Sequence, residues 1–140
     1  MIIEIPLKLV SENTATRCIV RGKYASPTLS EQIKDFMRNV DLELYKHRAE
    51  FKDLLNLYDK YTHGFVLSLV HKTPKLFTKK GTISENSIDV DNIKYLQDSI
   101  FRYLCIDDSQ VLSLSSSKSY AKNHSILIKI ELIEHGYNLI

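Results

Sequence analysis

The feature that most constrains the fold is a long amphipathic segment in the first half of the chain. From Ile33 to Tyr58, apolar side chains recur at helical spacing. This pattern predicts one long helix, or two helices with a break within residues 41–47. We expect its apolar face to pack in the core or against a second subunit. The stripe consists of Ile33, Phe36, Met37, Val40, Leu44, Phe51, Leu54, Leu55 and Tyr58.

Two local patterns predict where this helix begins. Pro27 suits the first helical position after a Ser26 cap. Alternatively, Thr28 and Glu31 form a capping box. Both patterns place the start of the helix within residues 26–31.

Alternation of apolar and polar residues predicts strands on both sides of the helical segment. The first covers residues 2–10, and Pro6 favours a sheet edge or a bulge because it lacks an N–H donor. Further strands are predicted over residues 17–24, 65–70, 111–116 and 126–133, and a shorter helix capped by Asp91 over residues 92–104. This order predicts a single α/β (α+β) domain over residues 1–140 with a mixed sheet of about five strands.

The charge of the chain is unevenly distributed. The formal net charge is +2, yet residues 89–110 hold five aspartates against Lys94 and Arg102, a net of −3. The residues before this stretch sum to +4 and those after it to +1. An acidic stretch inside a mildly basic protein is typical of a solvated face, or of a site where a cation and an anionic ligand meet.

Several other classes of protein are poorly supported. No apolar run is long enough to span a membrane and the first residues lack the features of a signal peptide, so we expect a cytoplasmic protein. Cys18 and Cys105 match no metal spacing and are expected to be buried thiols. The five histidines have no zinc-like spacing, and there is neither a Gly-rich phosphate loop nor a nucleophile elbow.

The acidic stretch offers ligands for a metal ion. Asp89 and Asp91 are two residues apart, so in an extended segment both carboxylates would project from one face. Asp107 and Asp108 open the next predicted strand, where only one of them could join the first pair. Three carboxylates suit Mg²⁺ or Mn²⁺, and the accessible reaction is phosphodiester hydrolysis with a nearby lysine assisting. The alternative is a charged helix cap that binds no metal.

Two groups of cations could contact DNA. The irregular segment 71–87 carries Lys72, Lys75, Lys79 and Lys80, and could follow a phosphate backbone or be a flexible surface loop. Arg17, Arg21 and Lys23 occupy alternate positions of the second predicted strand, for which charge alone favours a solvated face.

These residues together resemble the D-x-D-N … K-x-x-x-D … D-D-x-Q-V signature of the RusA family of Holliday-junction resolvases. The matching residues are Asp89-Val90-Asp91-Asn92, then Lys94 with Asp98, then Asp107-Asp108-Ser109-Gln110-Val111. The similarity extends over nearly the whole chain, through Ile5-Pro6, Ser11, Asn13, Arg17, Tyr24-Ala25-Ser26, Lys118 and the closing strand.

The resemblance implies a small homodimeric, Mg²⁺-dependent endonuclease that makes paired nicks across four-way DNA junctions. Such enzymes are often encoded by phages and prophages, so the expected setting is the cytoplasm of a bacterial or phage-infected cell. Carried over by motif, Asp89, Asp91 and Asp108 would hold the metal, and Lys94 would be the catalytic lysine. The secondary acids would be Asp98 and Asp107, and the contacts to the DNA backbone would be Arg17, Arg21, Lys79, Lys80 and Lys118.

One departure from the family pattern leaves two alternatives open. The family usually has two residues between the Asn and the Lys, whereas only Ile93 intervenes here. The helix could begin one residue earlier and keep Lys94 in place, or Tyr95 could occupy that place. The shortened spacing motivates a second hypothesis, a catalytically degraded dimer that binds branched DNA without cutting it. A third is a folded protein whose acidic cluster binds no metal.

Overall fold

A computed structural model describes residues 1–11, 16–21, 24–85 and 87–135, and the side chains of residues 16–21 and 24–29 lie outside the description. Six strands and three helices occur in these ranges. The strands are β1 (Ile2–Ile5), β2 (Thr16–Arg21), β3 (Tyr24–Leu29), β4 (His63–Thr73), β5 (Val111–Tyr120) and β6 (Ser125–Glu134). The helices are α1 (Glu31–Lys46), α2 (Arg48–Leu57) and α3 (Lys94–Leu104), and a single 3₁₀ turn spans Asp108–Gln110.

The main sheet has four strands in the order β1-β6-β4-β5. Strand β4 is antiparallel to β6 and parallel to β5, and β1 is antiparallel to β6 at one edge. The prediction of a mixed sheet in an α+β domain is confirmed. The sheet has four strands rather than five because β2 pairs with β3 in a separate two-stranded ribbon. Strand β1 lies at an edge of the sheet, as predicted from Pro6. It ends at Ile5, so the predicted extent to residue 10 is wrong.

The core lies between one face of the sheet and the helices. On β4 the side chains of Phe65, Leu67 and Leu69 are buried at alternate positions. The helices contribute Ile33, Phe36, Val40 and Leu44 from α1, Phe51 and Leu54 from α2, and Leu96, Ile100 and Leu104 from α3. Most of the apolar stripe of the long helical segment is therefore core, and only Met37, Leu55 and Tyr58 in it are partly exposed.

The helical segment is two helices, as one of the two alternatives predicted, because the helical backbone is interrupted at His47. Both predicted helix starts are wrong. Pro27 lies in β3 opposite Cys18, and the N-cap is Ser30, whose hydroxyl accepts the Ile33 N–H at 3.3 Å. Pairing with β2 overrides the local signals, and a two-stranded ribbon tolerates a proline because each strand has a free edge.

The second half of the chain differs from prediction in three places. Strand β5 extends to Tyr120, so Lys118 lies in the strand and not in the turn after it. The N-cap of α3 is Ile93, with no side-chain hydrogen bond, so Asp91 does not cap this helix. Cys105 is exposed, not buried, and ends α3 with a left-handed backbone at φ 54°. The side chain of Cys18 is outside the described part of the chain.

Candidate functional site

Asp89 and Asp91 lie in a tight turn that leads into α3. The Asn92 backbone N–H donates to the Asp89 carbonyl at 3.2 Å, and the Asn92 side-chain amide reaches the same carbonyl at 3.4 Å. Both aspartates are exposed. The extended geometry that motivated their pairing is therefore wrong, because residues 90–93 turn. We call residues 89–92 the acidic turn.

Strand β5 holds the acidic turn in place. The Ser116 hydroxyl donates to the Val90 carbonyl at 2.6 Å. Two residues further along, the Lys118 ammonium donates to the Ser87 hydroxyl at 2.9 Å and to the Ile88 carbonyl at 3.4 Å. Alternate residues of a strand share a face, so one face of β5 fixes both the turn and the segment that enters it.

Asp107 and Asp108 lie at the other end of α3. The Asp107 carboxylate accepts the Ser109 backbone N–H at 2.9 Å and caps the 3₁₀ turn that precedes β5. This bond, followed by a contact with Asp108, holds the pKa of Asp107 below its usual range. The predicted strand start is therefore a capped turn. Nearby, the Tyr58 hydroxyl donates to the Gln110 side chain at 2.6 Å and ties this turn to the end of α2.

The length of α3 separates the two acidic pairs. The helix has 11 residues, which makes it about 16 Å long. The acidic turn precedes its N-terminus and Asp108 follows its C-terminus. Strand β5 shows the same separation. Asp108 lies just before its first residue, Val111, whereas the acidic turn is hydrogen-bonded to Ser116, five residues further along the strand.

The three expected metal ligands therefore do not meet within one chain. Among the residues that the structure describes, no group of three or more His, Cys, Asp or Glu side chains is arranged to hold a metal ion. Asp89 and Asp91 alone do fit one way of binding Mg²⁺, which often takes only one or two carboxylates from the protein and the rest of its ligands from water and substrate phosphate.

Lys94 is the first residue of α3 and directly follows the acidic turn. Its ammonium lies 5.5 Å from the centre of the Tyr95 ring. Asp98 is exposed one helical turn further along. The start of α3 therefore keeps Lys94 beside the turn, while its catalytic role stays a prediction.

The segment predicted to be irregular is an ordered hairpin over residues 76–84, which we call the basic hairpin. Its backbone hydrogen bonds run from Ser84 N–H to Leu76 O at 2.8 Å, from Thr78 N–H to Thr82 O at 2.7 Å, and from Gly81 N–H to Thr78 O at 3.0 Å. Gly81 has φ +85°, a conformation that favours glycine. Lys79 and Lys80 are exposed at its tip, where they can meet a phosphate backbone.

The remaining predicted DNA contacts are on β2. Arg17 lies opposite Thr28 and Arg21 opposite Tyr24 in the two-stranded ribbon. Their side chains are outside the described part of the chain, as is Lys23, so their contact with DNA stays a prediction.

Sequence reasoning missed the residues that organise the site around β5. Ser116 and Ser87 were not singled out, and neither was the pair Phe77 and Tyr120, whose ring centres are 6.4 Å apart. The available signal was the spacing of Ser116, Lys118 and Tyr120, which occupy alternate positions of one strand. It was missed because the strand was predicted to end at residue 116, which placed Lys118 and Tyr120 in the following turn.

Comparison with known proteins identifies a family. A protein-family model described as endodeoxyribonuclease RusA matches residues 13–131. The match includes both acidic pairs, the basic hairpin and β5. A search of curated proteins finds no match. In the described ranges, no helix has the length and apolarity needed to cross a membrane.

Proposed function

The chain belongs to the RusA family of endodeoxyribonucleases, and on this premise we propose that it resolves four-way DNA junctions as a homodimer, with Mg²⁺ bound at the acidic turn and Mn²⁺ as a possible substitute. The observation that supports this most strongly is that the acidic turn and the basic hairpin both contact β5. A hydrogen bond from Ser116 holds the acidic turn, and two from Lys118 hold the segment that enters it. The lysine-tipped hairpin precedes this segment directly. A cation site thus adjoins a surface that attracts phosphates.

In the proposed mechanism, the metal ion and the protein side chains have separate roles. Asp89 and Asp91 would hold Mg²⁺, which would supply neutralisation of charge on the phosphoryl oxygens and a lower pKa for an attacking water. Lys94 would donate to the phosphoryl oxygen on which negative charge develops. Lys118 keeps the turn in place through Ser87 and Ile88. Because its ammonium donates to other residues of the protein, we assign Lys118 to positioning the acidic turn beside the DNA backbone.

A second subunit would supply the third carboxylate. Asp108 and the acidic turn lie at opposite ends of α3, so one chain leaves its own site incomplete. In a two-fold dimer each subunit can present its Asp108 to the turn of the other. The same symmetry supplies two sites at a fixed separation, which paired incision requires.

Strand β5 is our candidate for the dimer interface. It lies at the edge of the main sheet, and its first half exposes Leu112 by 54% and Leu114 by 40%. A long, exposed edge strand with apolar side chains favours pairing with another strand. Antiparallel pairing that brings Val111 of the partner subunit opposite Ser116 would carry the partner's Asp108 towards the acidic turn. The edge strand β1 is the other candidate, since most of the helical stripe is buried.

The experiment that tests this function uses a labelled four-way junction with Mg²⁺. Wild-type protein should release symmetric nicked products. Asp91→Asn should reduce cleavage by about 100-fold or more because it removes a metal ligand. It should bind the junction as tightly as the wild type or more tightly, since it removes charge that faces phosphate. Asp53→Asn, an exposed aspartate of α2, is the matched control and should cut normally.

Two other outcomes would contradict the proposal. Binding of the junction without nicking, over a range of Mg²⁺ and Mn²⁺ concentrations, would favour the catalytically degraded dimer. Loss of folding in Asp91→Asn would show that this aspartate serves the structure of the turn.

A further inference from the structure

An exposed apolar surface lies at the base of the basic hairpin. Phe77, Ile83 and Tyr120 are exposed by 51%, 63% and 58%. Phe77 and Ile83 oppose each other across the hairpin as a β-bridge. The rings of Phe77 and Tyr120 are inclined by 35°. We call these three residues the aromatic platform.

The structure of the hairpin does not account for this exposure. The hairpin is closed by its own backbone hydrogen bonds and by the bond between the Thr78 and Thr82 hydroxyls at 2.8 Å. It is attached to the body of the protein through Leu76, which is buried. The adjacent Phe77 side chain lies beside the Tyr120 ring, and half of its surface still faces solvent. An apolar cluster of this kind on a surface marks an interaction site.

The surrounding charge identifies the chemistry of the partner. Lys79 and Lys80 are exposed at the hairpin tip, and Lys75 and Lys122 are exposed near its base. Within residues 72–88 the only acidic residue is Glu85. A partner that meets both cations and aromatic faces carries negative charge and flat rings. Single-stranded nucleic acid has both, since its phosphates attract lysines and its unstacked bases stack on aromatic side chains.

The platform is close to the proposed cutting site. The Ser87 N–H donates to the Ser84 carbonyl at 3.1 Å, so the hairpin leads directly into the acidic turn. On β5, Tyr120 is two residues from Lys118, a spacing of about 7 Å along a strand. A strand whose backbone lies at the acidic turn can therefore place a neighbouring base on the platform.

We propose that the aromatic platform stacks unpaired bases of DNA beside the cut site, and so selects branch points, where bases are unstacked, over continuous duplex. This inference rests on the proposed function, because it assumes that the acidic turn receives a DNA strand. It adds a binding site for nucleobases to the cation and phosphate sites already described.

The test uses Phe77→Trp. Because the chain contains no tryptophan, the new side chain is the sole source of tryptophan fluorescence. EDTA prevents cleavage. The probes are an oligothymidine of about ten nucleotides, a length within the range bound by single-strand sites, and an abasic strand of equal length. The oligothymidine should quench the tryptophan, whereas the abasic strand should not.

Alanine variants separate stacking from charge. Phe77→Ala should weaken oligothymidine binding by about tenfold and leave binding of the abasic strand unchanged. Removal of Lys79 and Lys80 should weaken binding of both strands by a similar factor, because both carry phosphates. Tyr61→Ala, a change at another exposed aromatic residue, should alter neither.

The outcomes distinguish this inference from the proposed function. Equal wild-type affinity for the two strands, or a tryptophan that stays unquenched in the complex, would overturn the stacking proposal even if the junction is cut. Wild-type affinity in Phe77→Ala would also overturn it and would favour a protein partner for the platform. Failure to bind any DNA would overturn both proposals.

Discussion

At the scale of single residues, His71 is the most unusual side chain of the core. It is 4% exposed, and neither ring nitrogen has a hydrogen-bond partner among the described residues. The His124 ring stacks with it at 6.3 Å. Both rings line a cavity of about 340 Å³ that Lys8 and Lys75 also line. Burial, and then the charges of His124, Lys118 and Lys8, lower the pKa of His71 to about 4.

This histidine should make the folded protein sensitive to acid. The pKa in the folded state is below the ordinary value near 6.5, so folding favours the neutral ring. The neutral ring contributes fully to the free energy of unfolding above about pH 6.5. As the pH falls towards 4, this contribution is lost, and the free energy of unfolding decreases by about 3 kcal/mol. Urea unfolding at pH 7.5 and at pH 4 should show that His71→Phe loses less of its free energy of unfolding than the wild type does. Equal losses in the two proteins would contradict this account.

Asp89 and Asp91 were singled out through spacing and resemblance, and their role as metal ligands stays a prediction. Other single residues were misplaced where several neighbouring residues carry the same local signal. The helix cap was misplaced because Ser26, Thr28 and Ser30 carry similar local signals, and pairing between β2 and β3 selects Ser30. Asp91 was misassigned as a cap because the turn that ends at Asn92 separates it from α3.

At the scale of elements, β5 connects all parts of the candidate site. Its second half bonds the acidic turn and contacts the hairpin through Tyr120. Its first half is an exposed edge, preceded by Asp108. Periodicity predicted this strand but ended it too early, because serines are common in turns as well as in exposed strands. The two-helix segment was predicted more closely, since its apolar stripe is long and regular.

The exposed half of β5 leads to a prediction about assembly. Leu114→Lys places a charge on the edge strand, which opposes pairing of such edges. We expect this variant to be monomeric by analytical ultracentrifugation where the wild type is a dimer, and to lose cleavage because each site then lacks its third carboxylate. Leu57→Lys, on the exposed face of α2, is the matched control and should stay dimeric. A Leu114→Lys variant that remains dimeric would place the interface elsewhere.

At the scale of the whole molecule, the acidic stretch is not a single cluster. Its net charge of −3 over residues 89–110 suggested one site. Two of its five aspartates precede α3, two follow it, and Asp98 lies on the helix itself. Periodicity predicted the helix and its last residue, but began it two residues too early. The sequence does not show which path the chain takes after α3. It could fold back towards the N-terminus of α3, or enter β5 beside the C-terminus of α3, as it does in the structure.

The central claim is that two subunits share each cutting site. It is tested most directly by mixing Asp91→Asn and Asp108→Asn under conditions that exchange subunits, then assaying cleavage of a four-way junction with Mg²⁺. Each variant alone should be inactive. In a mixed dimer with shared sites, one site contains both substitutions and the other contains neither, so the mixture should recover nicking at that one site. Mixed dimers that form and bind the junction but do not nick it would contradict the account.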